Sequence, residues 1–201
     1  MDLQKTMAAL KEKGYEVSCF KTGAEAAAYL DGQIDGRLVG FGDSETLISM
    51  RLYDLLVKHN EVYDPQHPRE GMDFFSTAKK CLTTDIFFTS VNGMAETGEM
   101  VNIDGTGNRI AGSLFGHEKV YFVVASNKIV PTLEEAAWRA RNVAAPMNAA
   151  RHHYKTPCAV KMDHCYDCKS PRRICSAQTI YWRKMNFIKM EVVLIEEPLG
   201  Y

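Results

Sequence analysis

The sequence has no excess of charge of either sign, since 24 Lys and Arg against 25 Asp and Glu leave a net charge of −1 over 201 residues. Proteins that bind duplex nucleic acid or anionic membranes exploit a positive excess, so neither partner is favoured. Apolar runs are also short, the longest covering residues 120–125 and 192–195. A membrane span needs roughly 18 apolar residues, and the first residues contain no apolar signal-peptide centre. These absences predict a soluble, cytoplasmic protein without a membrane span.

Glycine and proline are scarce, with 14 and 7 residues respectively, which excludes a collagen-like or low-complexity chain. A hydrophobic fraction of 46% is sufficient for a folded core. The length is typical of one α/β domain, so we predict a single domain over residues 1–201. In a reducing cytoplasm the six cysteines are not expected to form a disulfide framework.

Helical and strand patterns alternate along most of the chain. Thr22 and Thr132 each open a Ser/Thr-x-x-Glu capping box, and Pro146 is expected to end the second of these helices. Strands that alternate with helices predict an α/β fold, with a mostly parallel sheet and helices on both faces. The predicted strands cover residues 15–20, 37–42, 85–91, 99–104, 120–125 and 192–197, and the longer helices cover 22–30, 45–60, 70–82 and 132–145.

A polar, cysteine-rich segment at about residues 151–180 interrupts this alternation and shows neither helical nor strand periodicity. Such a segment needs something other than an apolar core to order it. A Cys-x-x-Cys pair with a further cysteine on each side can place four thiolates around one metal centre. Zinc usually takes two such pairs, whereas an iron–sulfur cluster tolerates uneven spacing, and the spacing leaves both open. The predicted metal ligands are Cys158, Cys165, Cys168 and Cys175.

Several polar side chains follow the predicted strands at their carboxyl ends, where α/β sheets bind their ligands. The turn after the strand at 37–42 contains glycine, which lets a ligand approach the backbone, and two hydroxyl groups. Later turns add amide, hydroxyl and ammonium groups that suit a small carboxylate or a phosphorylated metabolite. The predicted substrate-binding residues are Gly42, Ser44, Thr46, Asn92, Thr106, Gly107, Asn108 and Lys128.

Two carboxylates among these polar turns are candidates for catalysis. A carboxylate within hydrogen-bond reach of a hydroxyl group or of an α-carbon is what hydroxy-acid or enediol chemistry requires. Glu96 is the predicted acid/base residue, and Asp104 is the reserve.

Three central motifs carry a resemblance to a known family. They are TSVNGMAETGE at residues 89–99, VNIDGTGNR at 101–109, and the stretch at 119–130 that ends in Asn-Lys-Ile-Val. The chain resembles the lactate-utilisation (LUD) domain family of the LutC/YkgG type over most of its length. The turn at residues 40–47 is similar to the family's Gly-x-Ser-x-Thr-Leu turn, with Asp43 before Ser44. The segment at 156–175 is similar to the cysteine-bearing branch of the family.

The resemblance implies a Rossmann-like fold related to sugar-phosphate isomerases and CoA transferases. It also implies a role in the oxidation of L-lactate or a related small acid, association with an iron–sulfur redox partner protein, and a [4Fe-4S] cluster rather than zinc. A non-catalytic binding or electron-transfer subunit stabilised by metal is one alternative. An isomerase or acyl transferase that retains the chemistry of the related folds is another, and the resemblance leaves a homo-oligomer open.

Overall fold

The computed structural model describes residues 2–201 and is built around a parallel sheet of six strands, in the order β1-β10-β7-β4-β2-β3. Every neighbouring pair in this sheet is parallel. The α/β prediction is therefore confirmed. The strands are β1 (Glu16–Phe20), β2 (Leu38–Phe41), β3 (Glu61–Tyr63), β4 (Ile86–Thr89), β5 (Gly93–Ala95), β6 (Met100–Asp104), β7 (Lys119–Ala125), β8 (Ile129–Val130), β9 (Ala177–Tyr181) and β10 (Lys189–Ile195).

The helices cover both faces of the sheet and are short. Across residues 2–201 none of them has the length and apolar character to cross a membrane. They are α1 (Leu3–Glu12), α2 (Gly23–Gln33), α3 (Glu45–Ser49), α4 (Leu52–Leu56), α5 (Phe74–Cys81), α6 (Asn108–Leu114), α7 (Leu133–Arg139), α8 (Ala145–Arg151) and α9 (Pro157–Lys161).

Two inner strands, β7 and β10, are buried on both faces, which explains their continuous apolar sequences. In β7 the side chains alternate between two separate cores. Phe122 packs into the core that also contains Leu10 of α1. Tyr121 packs into the opposite core, together with Leu30 of α2 and Leu52 of α4.

A second, smaller sheet pairs four strands in the order β8-β5-β6-β9. Three of its members, β5, β8 and β9, were missed by the sequence analysis. β5 has three residues and β8 has two, which is too short for a strand pattern. β9 lies inside the segment at 151–180 that was predicted to be irregular, and it pairs antiparallel with β6.

Two helix predictions were wrong. The helix at 132–145 does not end at Pro146, because a π-helical turn at Ala140–Ala144 precedes the proline and α8 continues to Arg151. Pro146 lies in the first turn of α8, where a missing N–H is tolerated. The helix predicted at 45–60 is broken at Arg51, whose φ of 53° is left-handed, and the break allows α4 to bury Leu52 and Leu56.

Candidate functional site

The site begins at the turn after β2, at the carboxyl end of the large sheet. The Gly42 N–H donates to the carbonyl oxygen of Phe88 at 2.8 Å, which ties the turn to β4. A Cβ at Gly42 would lie 3.0 Å from the Phe87 ring and 3.2 Å from the Phe88 carbonyl oxygen, so the close approach requires glycine. Asp43 then takes a left-handed φ of 51°. The turn places Ser44 and Thr46 at the strand ends, as predicted for them.

Lys128 is the central group of the site. It follows β7 in a short 3-10 turn, and only 4% of it is exposed. Its Nζ donates to Thr46 Oγ1 at 2.7 Å and to Ser90 Oγ at 3.0 Å. Within residues 2–201 no carboxylate pairs with this ammonium. Burial, reinforced by the nearby charges of Arg139 and Arg109, lowers the pKa of Lys128 to about 7.

Two arginines flank Lys128, and each is already paired with carboxylates. Arg151 Nη1 donates to Glu45, and its Nη2 lies 3.5 Å from Asp43. Arg109 Nη2 donates to a backbone carbonyl oxygen at 2.6 Å and lies 3.6 Å from Asp104. Of these three cationic groups, Lys128 is therefore the one without a carboxylate partner among the described residues. The nearby Arg139 also lacks one, but its guanidinium donates to two backbone carbonyl oxygens.

Lys128 faces a small inner cavity of about 30 Å³ that adjoins an outer cleft of about 470 Å³. Ser44, Ser90 and Asn92 line the inner cavity. Thr106 and Asn108 line the outer cleft. The two spaces share walls formed by Asp43, Arg109 and Asn148. The structure thus brings together most of the predicted substrate-binding residues. Gly107, with a left-handed φ of 87°, immediately precedes α6.

The two predicted catalytic carboxylates have other contacts. Glu96 lines neither cavity, and its carboxylate accepts the backbone N–H of Asp2 at 2.8 Å and Lys5 Nζ at 3.3 Å. The Asp2 N–H also holds the pKa of Glu96 below its usual range. Asp104 lines the outer cleft, but its carboxylate accepts the backbone N–H groups of Thr106 and Arg109 at 3.2 and 3.1 Å. The contacts of Glu96 fix the start of α1, and those of Asp104 fix the start of α6.

All four cysteines of the predicted metal site line one small cavity of about 20 Å³. Arg141 Nε donates to Cys165 Sγ at 3.4 Å, and Arg173 Nε donates to Cys175 Sγ at 3.1 Å. No group of three or more His, Cys, Asp or Glu side chains in residues 2–201 has the spacing to hold a single metal ion. Arg173 and Ile174 line both this cavity and the outer cleft, so the cysteines lie directly behind one wall of the site.

The sequence analysis did not select four polar residues that line the site: Ser90, Arg109, Asn148 and Arg151. Ser90 and Arg109 lie within the motifs at 89–99 and 101–109, so the family resemblance could have identified them. Asn148 and Arg151 lie on α8, which the sequence analysis did not predict because it expected Pro146 to end the helix. No pattern in the sequence places α8 beside the turn after β2.

The fold and the site define an α/β protein with a cleft at the carboxyl ends of a parallel sheet. The chain belongs to the LUD domain family, whose sequence profile matches residues 3–195. A crystal structure of a DUF162 family protein from Deinococcus radiodurans is similar in fold, with a TM-score of 0.53 and 14% identity, over 96% of this chain and 95% of that one. No curated protein matches the sequence. The predicted LUD membership is confirmed, and membership of the iron–sulfur branch stays a prediction.

Proposed function

We propose that this LUD protein binds a small carboxylate or phosphorylated metabolite at Lys128, as part of lactate or related small-acid redox metabolism. The LUD family is associated with lactate utilisation. The observation that carries the proposal is the buried Lys128 ammonium, which contacts two hydroxyl groups and has no carboxylate partner within residues 2–201.

A buried charge is costly unless it is paired and hydrogen-bonded. Lys128 Nζ has three N–H donors when protonated, and two of them are used by Thr46 and Ser90. The third is available to the inner cavity, where an anionic group would supply the missing charge partner. Ser44 and Asn92, which also line this cavity, can donate further hydrogen bonds to the same anion.

Lys128 also replaces Glu96 as the proposed acid/base residue. A group with a pKa near the working pH is suited to proton transfer, and the pKa of Lys128 is about 7. A bound anion favours the protonated form, from which Nζ can donate a proton to an oxygen atom of the ligand. We assign electron transfer to the iron–sulfur partner protein that the family resemblance implies. The isomerase alternative required Glu96 in the pocket, and Glu96 lines neither cavity.

We further propose a thiolate-ligated centre at Cys158, Cys165, Cys168 and Cys175, in a cytoplasm that keeps these thiols reduced. In its support, the four thiols line one cavity, and two arginines donate to their sulfurs. An iron–sulfur cluster tolerates the uneven spacing of these four cysteines, whereas zinc usually takes two Cys-x-x-Cys pairs. When bound, such a cluster would supply one-electron transfer beside the cleft.

The cavity of about 20 Å³ is little larger than one water molecule, so the thiols would move outward around a cluster. Cys165, Cys168 and Cys175 lie in residues 162–176, which contain neither helix nor strand, and therefore a movement of these three breaks no regular element; Cys158 lies in α9. Zinc remains the alternative metal.

The binding proposal is tested by isothermal titration with L-lactate, pyruvate and inorganic phosphate, using lactamide as the neutral analogue of lactate. We expect at least one of the anions to bind and lactamide to bind more weakly. Lys128→Met should remove anion binding, whereas Lys58→Met, at an exposed lysine away from the cleft, should leave it unchanged. Equal binding of lactate and lactamide would contradict the proposal.

The metal proposal is tested on anaerobically purified protein by metal and sulfide analysis. A cluster predicts about four iron and four sulfide per chain with a broad absorbance band, and Cys175→Ser should reduce both. Cys19→Ser, on β1 and away from the cysteine cavity, is the control. Colourless protein with one zinc per chain would select the alternative, and metal-free protein would contradict both.

A further inference from the structure

The outer cleft is larger than a three-carbon acid requires. Its volume of about 470 Å³ falls in the range of roughly 300–1,000 Å³ that is typical of pockets for much larger ligands. An anionic group at Lys128 would fill only the inner end. The residues that line the rest of the cleft are therefore expected to contact the rest of the ligand.

Two exposed phenylalanines form the outer part of the cleft. Phe74 and Phe75 are 36% and 65% exposed, and both line the cleft together with Tyr154. A capping box between Asp73 and Ser76 fixes the backbone of the first turn of α5, in which both phenylalanines lie. The buried face of α5 is formed by other residues, which means that packing of the core does not explain Phe75. Exposed aromatic rings on a cleft provide stacking surfaces for flat ligands.

Another part of the cleft wall is polar. Asn108, Asn148 and Thr106 line the cleft, and Asn148 also lines the inner cavity. Their amide and hydroxyl groups can both donate and accept hydrogen bonds, as the hydroxyl groups of a sugar require. Arg109 lies at the boundary and uses only Nη2 in hydrogen bonds and ion pairs within residues 2–201, so its remaining donors can contact a phosphate.

We propose that the ligand of this cleft is a nucleotide-like compound, with its phosphate at Lys128 and Arg109, its sugar along Asn108 and Asn148, and its flat ring against Phe75. This inference rests on the proposed function, because it uses the same anion site. It adds the class of ligand: a phosphorylated sugar that carries a planar heteroaromatic ring.

The test compares AMP and FMN with ribose 5-phosphate and inorganic phosphate, by isothermal titration of the full chain. Stacking of a base on an aromatic side chain is expected to make AMP or FMN bind about tenfold more tightly than ribose 5-phosphate. Phe75→Ala should remove this preference and leave the affinity for ribose 5-phosphate unchanged. Phe75→Trp should retain the preference, and Phe115→Ala, at an exposed ring outside the cleft, is the control.

The outcomes separate this inference from the proposed function. Binding of phosphate or ribose 5-phosphate that Lys128→Met removes, with no preference for AMP or FMN, would overturn the ring assignment and leave the anion site standing. A preference that survives Phe75→Ala would also overturn it. Absence of binding by every one of these anions and by L-lactate would overturn both.

Discussion

Replacement of Lys128 by methionine should change how the stability of the protein depends on pH. Methionine is similar in length to lysine and fills the same buried volume without an ionisable group. In the folded protein the pKa of Lys128 is about 7, against an ordinary value of 10.5. The unfolded chain therefore binds this proton more tightly than the folded chain does, and folding below pH 7 retains the full cost of burying the ammonium.

The magnitude follows from the two pKa values. One pKa unit corresponds to about 1.4 kcal/mol, so the full penalty is about 5 kcal/mol. It is relieved as the pH rises from about 7 towards 10.5. Between pH 7 and pH 9 the free energy of unfolding of the wild-type protein should rise by about 2 kcal/mol relative to that of Lys128→Met.

The assay is urea denaturation of both proteins at several pH values from 6 to 9, followed by circular dichroism. Other titrating groups are common to both proteins and cancel in the difference. Lys58→Met removes a lysine that is exposed and should behave as the wild type does. If the wild type and Lys128→Met show parallel pH profiles, then Lys128 keeps an ordinary pKa and the reasoning is refuted.

Three further predictions concern stability. Glu96→Gln should lower the melting temperature, because the Glu96 carboxylate holds the start of α1. It should leave the affinity for anions unchanged. A loss of affinity without a loss of stability would restore the predicted catalytic role of Glu96. Asp31 and Asp35 raise the pKa of His59, so the protonated imidazole stabilises the fold at low pH, and this stabilisation is lost as the pH rises through the folded pKa. His59→Gln should therefore lower the free energy of unfolding more at pH 5.5 than at pH 8. Equal losses at the two pH values would contradict this. Gly32→Ala lies within α2 and meets no steric conflict, so it should raise the free energy of unfolding in urea by about 0.5–1 kcal/mol. Gly105→Ala should lower it, because the added Cβ would lie 2.6 Å from the Ile174 carbonyl oxygen. The reverse order of stabilities would contradict the packing.

Five of the six strands of the large sheet were predictable because each is recognisable by itself, whereas β3, with three residues, was missed. The strands predicted at 85–91 and 120–125 are continuous apolar runs, as buried parallel strands are, and the structure contains β4 and β7 there. In the small sheet β6 was predicted at 99–104, but β5 and β8 were not, because they have three and two residues and are defined by their partners. Periodicity needs a longer window than such strands provide.

The grouping of polar side chains around the cleft was predictable in part for the same reason. Ser44, Thr46 and Lys128 follow recognisable strands, and the carboxyl ends of parallel strands meet at one edge of the sheet. Glu96 follows β5 of the small sheet, so it lies on a different edge from the one that the sequence analysis assumed. Arg151 required knowledge of how α8 packs on the turn after β2, which is a tertiary contact without a local signal.

The central claim is that Lys128 is a buried amine that pairs with an anionic ligand. Nuclear magnetic resonance of protein with ¹³C-labelled lysine side chains tests it most directly, with Lys128→Met to assign the signal. We expect the Lys128 signal to titrate near pH 7 in the free protein. With saturating L-lactate or phosphate, the pKa should rise by about 1–3 units. A Lys128 signal that titrates near pH 10 in the free protein, or that is unchanged by both anions, would contradict the account.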